Sequence, residues 1–232
     1  MKDMLNISLK RDELATKFGG GLPKGTIMLM EGDDGGGKSI LAQRIAYGLL
    51  ENGHTATYIS SELSTVEFVK QMASVEYTAK DHLLENRLLF LSIFPYLGET
   101  HLSDDFMERL LATNKIFEKD VIIFDTLSFL IIRDHVSSSK VFTLIKKLRK
   151  ITSLGKTLVF CVDPAHIHPM FLTLLRNISD IYLTLEIKNV LGNLLRVLNV
   201  RRFKLSSEEA SSAIPFKVEP SVGLSIELAS LS

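Results

Sequence analysis

Residues Thr26 to Ile40, TIMLMEGDDGGGKSI, carry three signals whose order leaves few folds open. An apolar run of strand length, Ile27-Met28-Leu29-Met30, enters a glycine-rich turn. The turn opens a segment in which Leu41, Ile45 and Leu49 recur every fourth residue, one stripe of a helix running to about Glu51, where Asn52-Gly53 ends it. A buried strand feeding a helix through a short turn is the repeating unit of an α/β protein. The turn holds Gly32-x-x-x-x-Gly37-Lys38-Ser39, the Walker A pattern or P-loop.

The residue types dictate its chemistry. Backbone N–H groups of Gly35, Gly36, Gly37 and Lys38 can turn inward around a phosphate, because glycine has no Cβ to block the approach. A phosphate there also meets the N-terminus of the helix, with its partial positive charge and unpaired N–H donors. Lys38 reaches the β and γ phosphates and the Ser39 hydroxyl ligates Mg²⁺; Gly35, Gly36, Gly37, Lys38, Ser39 and Ile40 form the expected nucleotide-binding set for ATP or ADP.

Two downstream carboxylates fit that chemistry. His54 to Ser60 reads as a second strand, with Ser61-Glu62 just past its C-terminal end, where ligands gather in open parallel sheets. Glu62 is therefore a candidate catalytic group beside Lys38, although a carboxylate heading the helix Ser64 to Ala73 would complement its dipole without catalysis. Further on, Asp120-Val-Ile-Ile-Phe-Asp125 is a buried strand tipped by a carboxylate, the Walker B arrangement. Asp125 then holds Mg²⁺ through water while Ser39 binds it directly.

The remaining chain alternates in the same way. Gly19-Gly20-Gly21 and Leu22-Pro23-Lys24-Gly25 make a sharp entry to the first strand, behind residues 1–18, read as a short helix after Ser8 or a segment packed over the core. Arg87 to Phe94 reads as a strand, Leu102 to Ile116 as a helix, and 133–140 as a polar loop. Val141 to Ile151 traces an amphipathic helix whose outer face carries Lys146, Lys147, Arg149 and Lys150, read as a solvated face. Thr157 to Val162 is a buried strand followed by His166 and His168, a pair with no third ligand at a spacing that would hold zinc. Phe171 to Ile178 reads as a helix. Ile181 to Ile187 and Leu194 to Leu205 read as a hairpin turning at Asn189 to Asn193, and Ile214 to Val218 with Leu224 to Leu228 as a second hairpin around Gly223. The expected fold is one α/β domain spanning 1–232: a mainly parallel twisted sheet flanked by helices, with antiparallel hairpins at its C-terminal edge.

Composition narrows the function classes. With 27 basic and 27 acidic residues the net charge is zero, which weighs against a chain whose main task is holding duplex DNA. The single cysteine, Cys161, permits no internal disulfide and fits a reducing cytoplasm. No apolar run spans a membrane or forms a signal peptide, so any membrane association is expected to be peripheral and through partners.

Taken together, the P-loop, Glu62 and Asp125 resemble the RecA superfamily of ATPases, and the lead-in GGGLPKGTIMLMEG is similar to that of its KaiC-like group. Within that group, YISSELSTVEFVKQM (Tyr58 to Met72) and the chain length resemble the FlaH family, accessory ATPases of the archaellum motor. The resemblance implies a RecA-like sheet with the strand 157–162 between the P-loop strand and the Asp125 strand, and monomers in a hexameric ring. In such rings a neighbour supplies basic residues to the γ-phosphate, and the family's Lys-x-Arg falls on Arg202-x-Lys204; an exposed basic hairpin face is the alternative. Glu62 matches the water-activating glutamate, but Ser61 stands where circadian KaiC proteins carry a second one, which implies slow or absent hydrolysis. The resemblance also implies docking on the motor ATPase FlaI beneath the membrane platform and contact with FlaX-type scaffolds. Two alternatives are a RecA- or RadA-type DNA-dependent recombinase and a KaiC-type autokinase.

Overall fold

The structure, a computed structural model, describes residues 3–93, 106–126, 138–190, 193–204 and 210–227. Two short strands, β1 (Met4–Leu5) and β2 (Leu22–Pro23), pair antiparallel around the four-residue helix α1 (Leu14–Lys17). The short helix expected after Ser8 is α1, and the strand pair around it makes this segment an N-terminal strap packed on the core. The main sheet holds β3 (Ile27–Gly32), β4 (Ala56–Ser60), β5 (Leu88–Ser92), β6 (Val121–Asp125), β7 (Thr157–Val162), β8 (Ile181–Val190), β9 (Asn193–Phe203), β10 (Ala213–Glu219) and β11 (Gly223–Ile226). Their order across the sheet is β11-β10-β9-β8-β3-β7-β6-β4-β5. From β8 to β5 all neighbours are parallel, and β9 to β11 add the antiparallel edge, as the hairpin pattern predicts. The strand β7 lies between β3 and β6, the arrangement the resemblance implies.

The helices are α2 (Lys38–Glu51), α3 (Thr65–Ser74), α4 (Ala79–Leu84), α5 (Phe106–Ala112), α6 (Ser138–Ser153) and α7 (Pro169–Ile178). Because side chains alternate along each strand, the parallel core has two apolar faces. Met28, Met30, Ile123, Val159 and Cys161 pack with Leu41, Ile45 and Leu49 of α2 on one face. On the other, Ile27, Leu29, Ile122, Phe124 and Phe160 pack with Leu148 of α6 and Phe171 and Leu175 of α7. The stripe read from the sequence is thus the face α2 buries.

Several expected boundaries move. Helix α6 begins at Ser138, so residues 138–140 belong to it and not to a loop; 133–137 lie outside the described residues. The helix expected over 102–116 is α5 plus a 3₁₀ turn, Asn114–Phe117, with 102–105 and Phe94 outside the described residues. Strands β8 and β9 pair out to Val190 with Asn193, which shortens the expected turn; Leu205 and Leu228 lie outside the described residues.

Candidate functional site

All three motif segments end at one edge of the parallel sheet. The P-loop leaves β3, Asp125 ends β6, and Glu62 follows β4, so topology alone brings residues far apart in the chain to the C-terminal strand ends. Between them lies a cleft of about 470 Å³ whose lining includes Gly35, Gly37, Lys38, Ser39, Ile40, Glu62 and Thr126. Val75, Val218 and Pro220 add apolar surface to the same lining, with Gln71 and Ser74.

The loop's curvature requires glycine at Gly37, the residue before α2. Its φ is 99°, in the left-handed region, and an added Cβ would lie 3.0 Å from Phe216 Cζ and 3.1 Å from Arg196 Cδ. With no side chain there, the first N–H groups of the 14-residue α2 open onto the cleft. The Lys38 ammonium lies within the loop's curve, donating to the carbonyls of Gly32 at 2.7 Å and Asp33 at 2.8 Å. Arg196 braces the loop from β9, its Nε donating to the Gly35 carbonyl at 3.1 Å.

Behind the loop, the Ser39 hydroxyl donates to Asp125 Oδ1 at 2.9 Å and the Tyr58 hydroxyl donates to Oδ2 at 2.7 Å. Burial pushes the Asp125 carboxyl up from 3.8 to about 6; the Tyr58 and Ser39 hydrogen bonds work against that shift and the nearby Glu62 charge adds to it. Burial likewise drives the Tyr58 phenol well above its usual range. A hydroxyl oxygen and a carboxylate held together, next to a loop of inward amides, are the hard oxygen donors that suit Mg²⁺. Ser39 and Asp125 fit that cation.

Glu62 is placed by a turn in which the Ser60 hydroxyl accepts from the backbone N–H groups of Glu62 and Leu63, at 3.2 and 3.1 Å. The expected alternative role, capping the next helix, is filled by another residue. Ser64 and Glu67 form a reciprocal capping box at the start of α3, with Ser64 N–H donating to Glu67 Oε2 at 2.9 Å. Glu62 instead faces the cleft, exposed, where the Thr126 hydroxyl donates to its Oε1 at 2.8 Å.

Lys38, Ser39, Ile40, Gly35, Gly37, Glu62 and Asp125 are therefore brought together, with Gly36 buried in the same loop. Arg202 and Lys204 are not. The register from Leu29 through Tyr182 to Arg202 sets Arg202 level with the first half of β3, away from the P-loop that follows that strand. Its Nη1 donates to the carbonyls of Arg176 and Ser179 at the end of α7, at 2.7 and 3.0 Å. The two histidines serve local structure: His168 Nδ1 accepts from the Met170 N–H at the head of α7, and His166 Nδ1 lies 3.4 Å from Asp163.

Tyr58, Thr126, Gln71 and Arg196 were not singled out by sequence reasoning. None carries a local signal: Tyr58 shares a sheet face with the Walker B carboxylate only through the register that pairs Tyr58 with Ile123 and Ser60 with Asp125.

Strand order, loop and carboxylates define a RecA-like P-loop nucleotide-binding protein. The chain belongs to the KaiC ATPase family, whose model matches residues 11–229. It is 34% identical over 230 residues to the archaeal flagellar ATP-binding protein FlaH of Methanocaldococcus jannaschii, covering 99% of this chain and 98% of that one. It is also 34% identical over 226 residues to FlaH of Methanococcus voltae, covering 97% and 98%. The crystal structure of the flagellar accessory protein FlaH from M. jannaschii superposes with a TM-score of 0.92 over 98% of this chain and 100% of that one, at 34% identity.

Proposed function

We propose that this chain is an ATP-binding regulatory subunit of the archaellum motor, that it docks on the motor ATPase FlaI in a nucleotide-dependent way, and that it hydrolyses ATP slowly or not at all. The observation that carries the reading is the meeting of Lys38, Ser39 and Asp125 at the head of α2, in a chain related along its whole length to proteins named for ATP binding in the archaeal flagellum.

Each residue has a physical task. The amides of Gly35 to Lys38 and the α2 N-terminus take the phosphate charge, and the Lys38 ammonium exchanges loop carbonyls for phosphate oxygens. Ser39 and Asp125 hold Mg²⁺, which when bound neutralises part of the triphosphate charge. The apolar lining residues Val75, Val218 and Pro220 would give the base of the nucleotide a surface to pack on. Glu62 is the group that orients water; one of its oxygens is already engaged by Thr126, and Ser61 offers no second carboxylate.

Members of a hexameric ring would present Arg202 and Lys204 to a neighbour's cleft, and their distance from their own P-loop agrees with an action across subunits. Among the described residues no helix is long and apolar enough to cross a membrane, so attachment at the cytoplasmic face would run through FlaI and a FlaX-type scaffold. The test is co-elution of the chain with FlaI in ATP, in ADP and without nucleotide, for wild type and Lys38→Ala. Loss of ATP binding and of docking together supports the reading; docking undiminished in Lys38→Ala refutes its regulatory part.

A further inference from the structure

The Walker B carboxylate is held from two sides. Ser39 comes from the P-loop helix, and the second donor, Tyr58, lies on β4 with its hydroxyl 2.7 Å from Asp125 Oδ2. We propose that Tyr58 is a positioning residue that fixes the Asp125 carboxylate for the cation, through a rigid hydrogen bond from the sheet face beneath the nucleotide cleft.

Three observations carry this. The tyrosine cannot easily move: its side chain is fully buried, with its ring 4.9 Å from that of Phe68 on α3 and 6.1 Å from that of Phe90 on β5, centroid to centroid. Its place is also set by register, since Tyr58 faces Ile123 one pleat before Ser60 faces Asp125, which leaves phenol and carboxylate diagonal on the same face. Finally, each carboxylate oxygen has its own hydroxyl donor, Ser39 on Oδ1 and Tyr58 on Oδ2, and the two together set the orientation of the group. Outer partners of this kind set the direction and donor strength of a metal-binding carboxylate.

The P-loop helix also meets the cleft wall next to this bond. Gln43, buried on α2, lies beside the Tyr58 phenol, and its amide donates to Gln71 Oε1 at 3.0 Å. Gln71 lines the cleft near Ser74 and Val75. The Gln43–Gln71 bond therefore ties the P-loop helix to the cleft wall.

The inference rests on the Mg²⁺–nucleotide reading of the cleft, and its test separates the two. Tyr58→Phe keeps the ring and deletes only the hydroxyl. Fluorescent ATP analogue is titrated into wild type and variant in EDTA and over a Mg²⁺ series, and Mn²⁺ bound with ATP is followed by electron paramagnetic resonance. The expected result is unchanged affinity in EDTA, which also reports an intact fold, with the Mg²⁺ and Mn²⁺ midpoints raised about 10-fold or more in Tyr58→Phe. Equal midpoints in the two proteins, with wild type binding Mg²⁺–ATP normally, overturn the role of Tyr58 alone. A wild type that binds no nucleotide overturns the reading of the cleft and this inference with it.

Discussion

Ser39 and Asp125 stand 86 residues apart in the chain and are joined by a 2.9 Å hydrogen bond at the sheet edge. The bond ties the first turn of the P-loop helix to the end of the strand two places away, so the two halves of the expected cation site are preassembled. Because the Asp125 carboxyl titrates at about 6, protons compete with a cation for it in a measurable range. The Mg²⁺-dependent part of nucleotide affinity should fall as pH drops from 7 to 5, and Asp125→Asn should show the low affinity at every pH. Calorimetric titrations with and without Mg²⁺ across that range check both.

The same shift has a consequence for stability. The folded chain keeps the Asp125 proton up to about pH 6, the unfolded chain only to about 3.8, so between those values the native state binds more protons. Stability from this group therefore falls as pH rises through that window, and the cost is fully present above it. Without nucleotide or Mg²⁺, Asp125→Asn should be more stable than wild type at pH 8, on the order of 1–3 kcal/mol, with the gain shrinking toward pH 4. Urea unfolding at the two pH values measures it.

Much of this was legible in the sequence because the signals were local. The run Ile27 to Met30, the glycines to Gly37 and the four-residue period from Leu41 each report on their immediate neighbours, and β3 and α2 follow within a residue or two. Asp125 and Glu62 were legible because strand ends in a parallel sheet converge whatever the order of the strands between them. Arg196 and Tyr58 were not: each is a residue inside a strand whose partner depends on pairing register, which periodicity does not fix. Arg202 and Lys204 stand out in sequence as a basic hairpin face, yet the antiparallel turn-back of β9 sends Arg196 to the P-loop and Arg202 to the opposite end. The strap escaped for the same reason, its strands being two residues long and its anchor a side chain in α2.

That anchor is the ion pair of Arg44 with Asp12, two 2.6 Å hydrogen bonds with both side chains wholly out of solvent, and Arg44 Nη1 also donates to the Ile7 carbonyl. Asp12→Ala would leave the guanidinium buried and uncompensated. A loss of about 3–5 kcal/mol is expected, read as a drop in the urea midpoint; a change within error would show that the strap is not anchored by charge.

Gly37→Ala combines a left-handed backbone with a Cβ 3.0 Å from Phe216 Cζ. The loop has to shift to admit it, so nucleotide affinity should fall by at least 10-fold while the chain loses more than about 1 kcal/mol. Comparison with Gly53→Ala, also at positive φ but with nothing within 4 Å of an added Cβ, separates backbone strain from the clash under the loop.

Glu62 touches the cleft and Thr126 but does not hold the loop. Glu62→Gln should leave ATP affinity within about 2-fold and remove whatever slow hydrolysis the wild type shows, since the amide cannot take a proton from water. A coupled phosphate-release assay over hours decides this; unchanged release in the variant would move the water-activating role to another residue.

The central claim is that the amides of Gly35 to Lys38, with the Lys38 ammonium, grip a nucleotide tail whose cation sits on Ser39 and Asp125. Isothermal titration of ATP into the purified chain in Mg²⁺ tests it most directly. The account predicts saturable uptake of one ATP per chain, abolished in Lys38→Ala and weakened in Ser39→Ala only when Mg²⁺ is present. No heat of binding from wild type, or equal binding by Lys38→Ala, would contradict it.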